Sequence, residues 1–258
     1  MKQNKELVFA KEAARKAGKL IVSQADSRRI LAFKSENDFV TNVDKNSEKL
    51  ITSLIRKRFP GHGIMAEEGS SIKNNENMWI IDPLDGTTNF THGYPFFCVS
   101  IALVRNGVQS LGVVYDPLRD EMFHAVAGHG AYLNGKRISV SKATELKDSL
   151  LVTGFYYERG KIMRKTLEKM GDFLTRNVHG VRRDGAAALD MCYVACGRVD
   201  GYWEYVLSPW DFAASSLIAK EAGAKVTSPS GAPLEMVRMG VLAANPELHK
   251  KMLDIVRF

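Results

Sequence analysis

Apolar side chains recur at helical spacing at Leu7, Ala10, Ala14, Ala17 and Ile21, predicting an amphipathic helix over about residues 5–26. Ile30-Leu31-Ala32-Phe33 reads as a short strand. Asp38-Phe39-Val40-Thr41-Asn42-Val43-Asp44 then leads into a second helix of about 44–58, halted by Pro60 and Gly61. Two short apolar runs follow, Gly63–Ala66 and Met78–Ile81. Each reads as a buried strand and each ends in acid, Glu67-Glu68 in one case and Asp82 in the other. The polar residues 70–77 between them read as a flap. Beyond, Phe96–Val104, Gln109–Tyr115 and Glu121–Val126 read as successive strands of one antiparallel sheet, with turn signals at Asn106-Gly107 and Asp116-Pro117. A tight hairpin over 128–136 continues them, and the first lobe is expected to span about 1–145.

The second lobe, about 146–258, opens with a strand at Leu150–Thr153 and a helix over about 158–176. Arg182-Arg183-Asp184-Gly185-Ala186-Ala187-Ala188 is read as the opening of the next helix, running to about Gly197. A strand at Asp200–Tyr205 ends beside Ser208-Pro209-Trp210-Asp211. That group starts a helix well, with Ser208 as N-cap, Pro209 at the first helical position and Asp211 at the third, so capping is one of two open readings of Asp211. This helix runs to Glu221 and stops at Gly223. Short strands at Val226 and Val241–Ala243 and a closing helix over Pro246–Val256 complete the chain. With no repeat, linker or low-complexity segment, one unit of two lobes is the simplest reading.

Composition narrows the class. The 258 residues are 45% hydrophobic and 25% charged, ordinary for a globular chain with a large core. No run approaches a membrane span, and Leu7-Val8-Phe9-Ala10 is too short for a signal-peptide core, so a cytoplasmic address is expected. Three cysteines, Cys98, Cys192 and Cys196, make no disulfide framework; the last two suit core packing better than half a metal site. Six scattered histidines argue against zinc. A formal charge of +7 favours anionic substrates and permits weak nucleic-acid binding, but pairs such as Arg28-Arg29 and Arg182-Arg183 are too short to select it. Gly128 and Gly130 imitate part of a dinucleotide fingerprint without the helix that must follow it.

The chemistry concentrates in Met78-Trp79-Ile80-Ile81-Asp82-Pro83-Leu84-Asp85-Gly86-Thr87-Thr88-Asn89-Phe90. Pro83 keeps Asp82 out of a helical conformation, at an extended strand end. A turn then returns Asp85, so that two carboxylates and the Leu84 carbonyl converge. Hard cations such as Mg²⁺ prefer such oxygens and share them with substrate phosphate. The amides of Gly86-Thr87-Thr88 suit phosphate if a helix starts there. The competing reading is a surface turn, because Asp-Pro and Asp-Gly are common turn dipeptides.

Asp82-Pro83-Leu84-Asp85-Gly86-Thr87-Thr88-Asn89-Phe90 resembles the first signature of the inositol monophosphatase family, Mg²⁺-dependent and lithium-sensitive sugar phosphatases. Trp210-Asp211-Phe212-Ala213-Ala214, continuing to Glu221-Ala222-Gly223-Ala224, resembles its second signature. Asp38 to Asp44 matches the family's Asp-x-Val-Thr-x-x-Asp stretch, and the resemblance runs from the first helix to the last. It implies an α+β fold, the five-layered αβαβα sandwich of the inositol monophosphatase and fructose-1,6-bisphosphatase type, usually a homodimer. It also implies two or three Mg²⁺ per site. One ion would be held by Glu67, Asp82 and the Leu84 carbonyl, and a second by Asp82, Asp85 and Asp211. Glu67 with waters would hold a weaker third. Asp44 and Thr87 would orient the attacking water, with Glu67 also in the catalytic group, and no covalent phosphoenzyme would form. Gly86 and Thr87 would hold the phosphate, while Gly185, Ala186, Ala187 and Glu204 would line the sugar pocket.

Three departures from the family pattern fall on that pocket and on packing. Ala186 stands where Ser or Thr is frequent, Ser215 and Ala224 replace glycines, and Arg183-Asp184 precedes Gly185 beside the pocket, where Arg183 could meet a second anionic group. The leading expectation is hydrolysis of myo-inositol 1-phosphate or another small phosphorylated sugar or polyol. Fructose 1,6-bisphosphate, nucleotide 3′-phosphates and NADP are the enzymatic alternatives. A regulatory protein docking on RNA polymerase or RNA is the alternative of another class.

Overall fold

The computed structural model describes residues 4–28, 30–35, 38–74, 76–157 and 159–257. Arg29, Asn75 and Glu158, which belong to segments read above, lie outside the described residues. In chain order the elements are α1 (Lys5–Ser23), β1 (Ile30–Ser35), β2 (Asp38–Thr41), α2 (Asn42–Arg58), β3 (Gly63–Ala66), β4 (Ser71–Ile72), β5 (Asn77–Asp85), α3 (Thr87–His92), β6 (Cys98–Arg105), β7 (Val108–Asp116), β8 (Glu121–Val126), β9 (Ala131–Leu133) and β10 (Lys136–Arg137). Then come β11 (Leu150–Thr153), α4 (Lys161–Leu174), β12 (Gly180–Arg182), α5 (Ala187–Ala195), β13 (Gly201–Leu207), α6 (Pro209–Glu221), β14 (Lys225–Thr227), β15 (Met239–Ala244) and α7 (Pro246–Val256).

Alternation along the central strands dictates the layers. In β5, Trp79 and Ile81 pack with Ala10, Ala14, Ile51 and Ile55 of α1 and α2, whereas Ile80 faces the opposite way, toward Leu189 of α5 and Ala214 of α6. In β13, Tyr202 shares that middle core, and Trp203 turns outward to Phe173 of α4 and Met252 of α7. The order is therefore α1/α2, an eight-stranded sheet, α5/α6, a five-stranded sheet, α4/α7: the αβαβα sandwich. The larger sheet runs β10-β9-β8-β7-β6-β5-β3-β4 and the smaller β12-β11-β13-β15-β14. Close approach in the middle layer requires Gly112 in β7, where an added Cβ would stand 2.5 Å from the Ala214 carbonyl.

Two strand relations position the chemistry. First, β3 and β5 are parallel neighbours, Ala66 beside Ile81, so their C-terminal ends lie together and Glu67 arrives next to Asp82. Second, β5 carries a bulge. Asp82 pairs with Ser100 and Asp85 with Cys98, so three steps along β5 match two along β6. Side chains three apart on a regular strand point to opposite faces. The extra residue at Pro83-Leu84 brings Asp85 back to the face of Asp82.

Several sequence expectations need correction. Residues 70–77 are not simply a flap, because Ser71–Ile72 pairs with the edge of β3 and the Asn74 side chain donates to the Gly61 carbonyl at 2.6 Å. The helix expected to open at Arg182 begins at Ala187, and Arg182 ends β12, which had not been foreseen. Gly185, with φ of +91°, makes the turn between them. Strand β2 was likewise unforeseen; it pairs with β1 as a hairpin. Among the described residues no helix is long and apolar enough to cross a membrane.

Candidate active site

A cavity of about 230 Å³ opens where the C-terminal ends of β3, β5 and β13 meet the starts of α3, α5 and α6. Its lining includes Glu67, Asp82, Leu84, Asp85 and Thr87 from the first half of the chain. Gly185, Ala187, Asp190, Glu204 and Asp211 come from the second. Residues from opposite halves of the chain thus face one space.

Asp82, Asp85 and Asp211 are each anchored through one oxygen to a backbone amide. Asp82 Oδ1 accepts from Leu84 N at 3.0 Å, and Asp85 Oδ2 from Ala188 N at 2.7 Å in the first turn of α5. Asp211 Oδ2 accepts from Ser208 N at 2.7 Å. Asp211 is therefore both the cap of α6 and a lining residue, so the two sequence readings describe different oxygens of one side chain. Cys98 Sγ lies 3.6 Å from Asp85 Oδ2 and donates to it. Such anchors fix carboxylates while leaving lone pairs free to point into the cavity.

The acids are crowded, and their protonation reflects it. Burial pushes Asp82 well above the ordinary carboxylate range, and the neighbouring charges of Glu67, Asp85 and Asp211 push the same way. Burial raises Asp85 to about 7, against the stabilising bond from Ala188, and raises Asp211 markedly, with Glu67 and Asp85 adding to it. Four carboxyl groups and the Leu84 carbonyl form an all-oxygen donor set whose mutual repulsion a hard divalent cation would relieve. The chemistry fits Mg²⁺. Among the described residues no three His, Cys, Asp or Glu side chains already form a closed metal cage. Water and phosphate would supply the remaining ligands that Mg²⁺ characteristically keeps.

Thr87 and Asp44 are coupled. Thr87 Oγ1 lies 2.6 Å from Asp44 Oδ1 and 3.0 Å from the Leu84 carbonyl. Asp44 is fully buried at the start of α2, and its Oδ2 accepts from Thr41 N at 2.9 Å in a capping box. One oxygen serves the helix and the other the site. Gly86, with φ of +95°, precedes α3 and has no room for a side chain: an added Cβ would meet the Phe96 carbonyl at 3.0 Å and Phe97 Cβ at 3.1 Å. Ala186 is buried at the N-cap of α5, and Ala187 lines the cavity.

Glu204 is 6% exposed, and burial raises it to about 7; its Oε2 accepts from the Tyr202 hydroxyl at 2.7 Å. Gly154, which the sequence reading passed over, makes this placement possible, because a Cβ there would stand 1.9 Å from Glu204 Oε2. Gly154→Ala is expected to cost about 1–3 kcal/mol by overpacking and to raise KM by displacing Glu204. A thermal melt and KM equal to those of the parent would mean that Glu204 turns aside freely.

Other supports were also missed. Glu48 accepts from Glu68 N at 2.7 Å and Ser70 N at 3.0 Å, holding the turn that carries Glu67. Asn89 Nδ2 donates to the Phe96 and Asp184 carbonyls, both at 2.7 Å, and ties α3 to the loop before α5. Asp190, inside an apolar helix, lines the cavity at 1% exposure, raised well above its ordinary range by burial and then by Asp184 and Asp85. Its place in the helical pattern was visible, but its orientation was not.

A doubly sheeted αβαβα scaffold with clustered acids at its strand ends defines the metal-assisted phosphatase class that this geometry resembles. The chain belongs to the inositol monophosphatase family, whose model matches residues 2–258. It is 43% identical over 258 residues to the protein named Nus factor SuhB from Pasteurella multocida (strain Pm70), covering 98% of this chain and 96% of that one. It is 45% identical over 217 residues to an inositol-1-monophosphatase from Synechocystis (strain PCC 6803), covering 83% and 75%. The inositol monophosphatase structure from Anabaena (Nostoc) sp. PCC 7120 superimposes with a TM-score of 0.87 at 42% identity, covering 99% and 96%. Family membership supports phosphatase activity and a general dependence on Mg²⁺.

Proposed function

We propose that the chain hydrolyses a phosphate monoester of a small polyol or sugar, foremost myo-inositol 1-phosphate, as an inositol-phosphate phosphatase (EC 3.1.3.25). The observation that carries the reading is the bulge in β5, which turns Asp82 and Asp85 into the cavity beside Glu67, Asp211 and the Thr87–Asp44 pair. Glu67, Asp82, the Leu84 carbonyl, Asp85 and Asp211 would hold the two or three Mg²⁺. Bound there, the ions would acidify the attacking water, polarise the phosphate and offset leaving-group charge. Asp44 holds the Thr87 proton through Oδ1, leaving Thr87 Oγ1 to accept a hydrogen bond from the water and orient it. The amides of Gly86 and Thr87 bind phosphate oxygens, and attack in line needs no covalent intermediate. Lithium inhibition, a homodimer and a division into lobes 1–145 and 146–258 belong to the same proposal.

Glu204 with Gly185, Ala186 and Ala187 would receive the polyol. A hydrogen bond to a charged group contributes about 1.5–3 kcal/mol, or roughly ten- to a hundredfold. Glu204→Gln is therefore expected to lower kcat/KM for myo-inositol 1-phosphate by about that factor. Hydrolysis of p-nitrophenyl phosphate, which has no such hydroxyl, should change much less. Phosphate release from a panel including fructose 1,6-bisphosphate, a nucleotide 3′-phosphate and NADP ranks the alternatives, with equal losses on every substrate sinking the assigned role of Glu204. The name of the Pasteurella relative favours a second reading, a regulatory role at the transcription machinery or on RNA. Binding to RNA polymerase or RNA by a catalytically dead variant would support that role independently of turnover.

A further inference from the structure

The polyol side of the cavity contains a second acid that the reading above leaves without a task. Asp190 stands on α5, at 1% exposure, and lines the cavity together with Glu204, whose charge acts on it. Its Oδ1 has no hydrogen-bond partner among the described protein atoms. Buried carboxyl oxygens ordinarily have one. The nearby neutral donor is already engaged, because Tyr202 directs its single proton to Glu204 Oε2 at 2.7 Å. Arg183 lines the same cavity but is exposed; its charge acts on Asp190, yet among the described residues no ion pair joins the two. The backbone amide of Asp190 is occupied within its own helix, bonding the Ala186 carbonyl at 2.9 Å.

We propose that Asp190 is a specificity-determining residue whose carboxyl group bonds a substrate hydroxyl, so that Asp190 and Glu204 together select a polyol with two hydroxyls on one side. The assignment rests on the polyol-phosphate reading and deepens it. Two carboxyl groups reach the cavity from different elements, α5 and β13, and each can pair with one hydroxyl of the same ring. An aryl or simple alkyl phosphate would leave Asp190 buried and unpaired. Sites built to bond a hydroxyl reject analogues lacking it for that reason. Asp190 touches no reacting atom and contributes through binding, so its signature belongs in KM and in substrate preference.

The test compares the full-length parent, Asp190→Leu and Asp190→Asn with saturating Mg²⁺, measuring kcat and KM separately on myo-inositol 1-phosphate and p-nitrophenyl phosphate. Leucine keeps the branched outline and the number of side-chain heavy atoms, is bulkier, and removes the hydrogen bond. The ratio of the two kcat/KM values is expected to fall about ten- to a hundredfold, chiefly through KM for the inositol phosphate. Asparagine retains a carbonyl acceptor and should hold that ratio within about threefold. Should Asp190→Leu fail to fold, Asp190→Ala makes the same comparison with a smaller side chain. Equal losses on both substrates would overturn the assignment, assigning Asp190 instead to the support of α5 and, through Ala188, of Asp85. An unchanged ratio would overturn it too. A parent enzyme inactive on inositol 1-phosphate would overturn the polyol reading itself, whereas an active parent with selectivity indifferent to Asp190 would remove only this residue's role.

Discussion

Asp85→Asn is expected to lower kcat by about a thousandfold while leaving the protein folded. The amide matches the carboxylate in size and can still accept from Ala188 N, so the link to α5 survives. What it removes is negative charge from an all-oxygen cluster proposed to hold Mg²⁺. Metal-ion stabilisation of a developing transition-state charge is worth several kcal/mol, and about 4 kcal/mol corresponds to roughly a thousandfold. Relieving repulsion among buried acids should leave the metal-free variant at least as stable as the parent. The measurement is kcat with saturating substrate and Mg²⁺, alongside a melting curve. Normal turnover in a folded Asp85→Asn protein would return residues 82–87 to the status of a structural turn.

Removing divalent cations should abolish turnover and expose a pH dependence of stability whose sign is fixed by the crowded acids. Asp82, Asp85 and Asp211 bind protons more tightly in the folded chain than in the unfolded chain, chiefly because burial disfavours their charge. Between the ordinary carboxylate range near 4 and the folded value of about 7 for Asp85, the folded state holds protons that the unfolded chain has released. Stability contributed by these groups is thus present below about pH 4 and is lost as pH rises through about 7. Mg²⁺ should oppose the loss, since binding to the folded state at a hundred times Kd adds about 2.7 kcal/mol. For a chain of this length that is roughly 5–10 °C in Tm. Melting curves in EDTA and in Mg²⁺ at pH 5 and pH 8 provide the check. A Tm in EDTA that ignores pH, together with no gain from Mg²⁺ at pH 8, would contradict the proposed cluster.

Where local chemistry specified an element, the sequence located it closely. Ser208 and Pro209 mark the start of α6, and Pro246 that of α7, where the Asn245 side chain accepts from two amides. The acids at 67, 82, 85 and 211 were legible because each follows a strand or opens a helix with a recognisable signature. Strands β2 and β12 escaped because edge strands of three or four residues carry too little alternation to separate them from loops. The roles of Glu48, Asn89, Gly154 and Asp190 escaped for a different reason. Each depends on a partner distant in sequence, as when Asn89 bonds the carbonyl of Asp184 or Gly154 makes room for Glu204. Helical periodicity predicts that Asp190 lies on α5 but contains no information about the wall it faces.

The bulge in β5 also governs which genetic changes the site can absorb. Substitution at Leu84 alters a side chain but preserves the carbonyl and the count of residues between the two aspartates. Losing one codon between Asp82 and Asp85 would restore an unbroken alternation, yet at a two-residue spacing that still keeps both acids on one face. Orientation would survive while the crossing of the strand end would be shortened, drawing Gly86 and the start of α3 back by one residue. An added codon would make the spacing four, which reverses Asp85 if the present bulge is kept and preserves its facing only if the bulge is lost to regular alternation or enlarged. Insertions and deletions here are therefore unequal events: one draws back the turn at Gly86, the other keeps Asp85 facing the cavity only if the bulge itself changes, and neither resembles the effect of any point mutation.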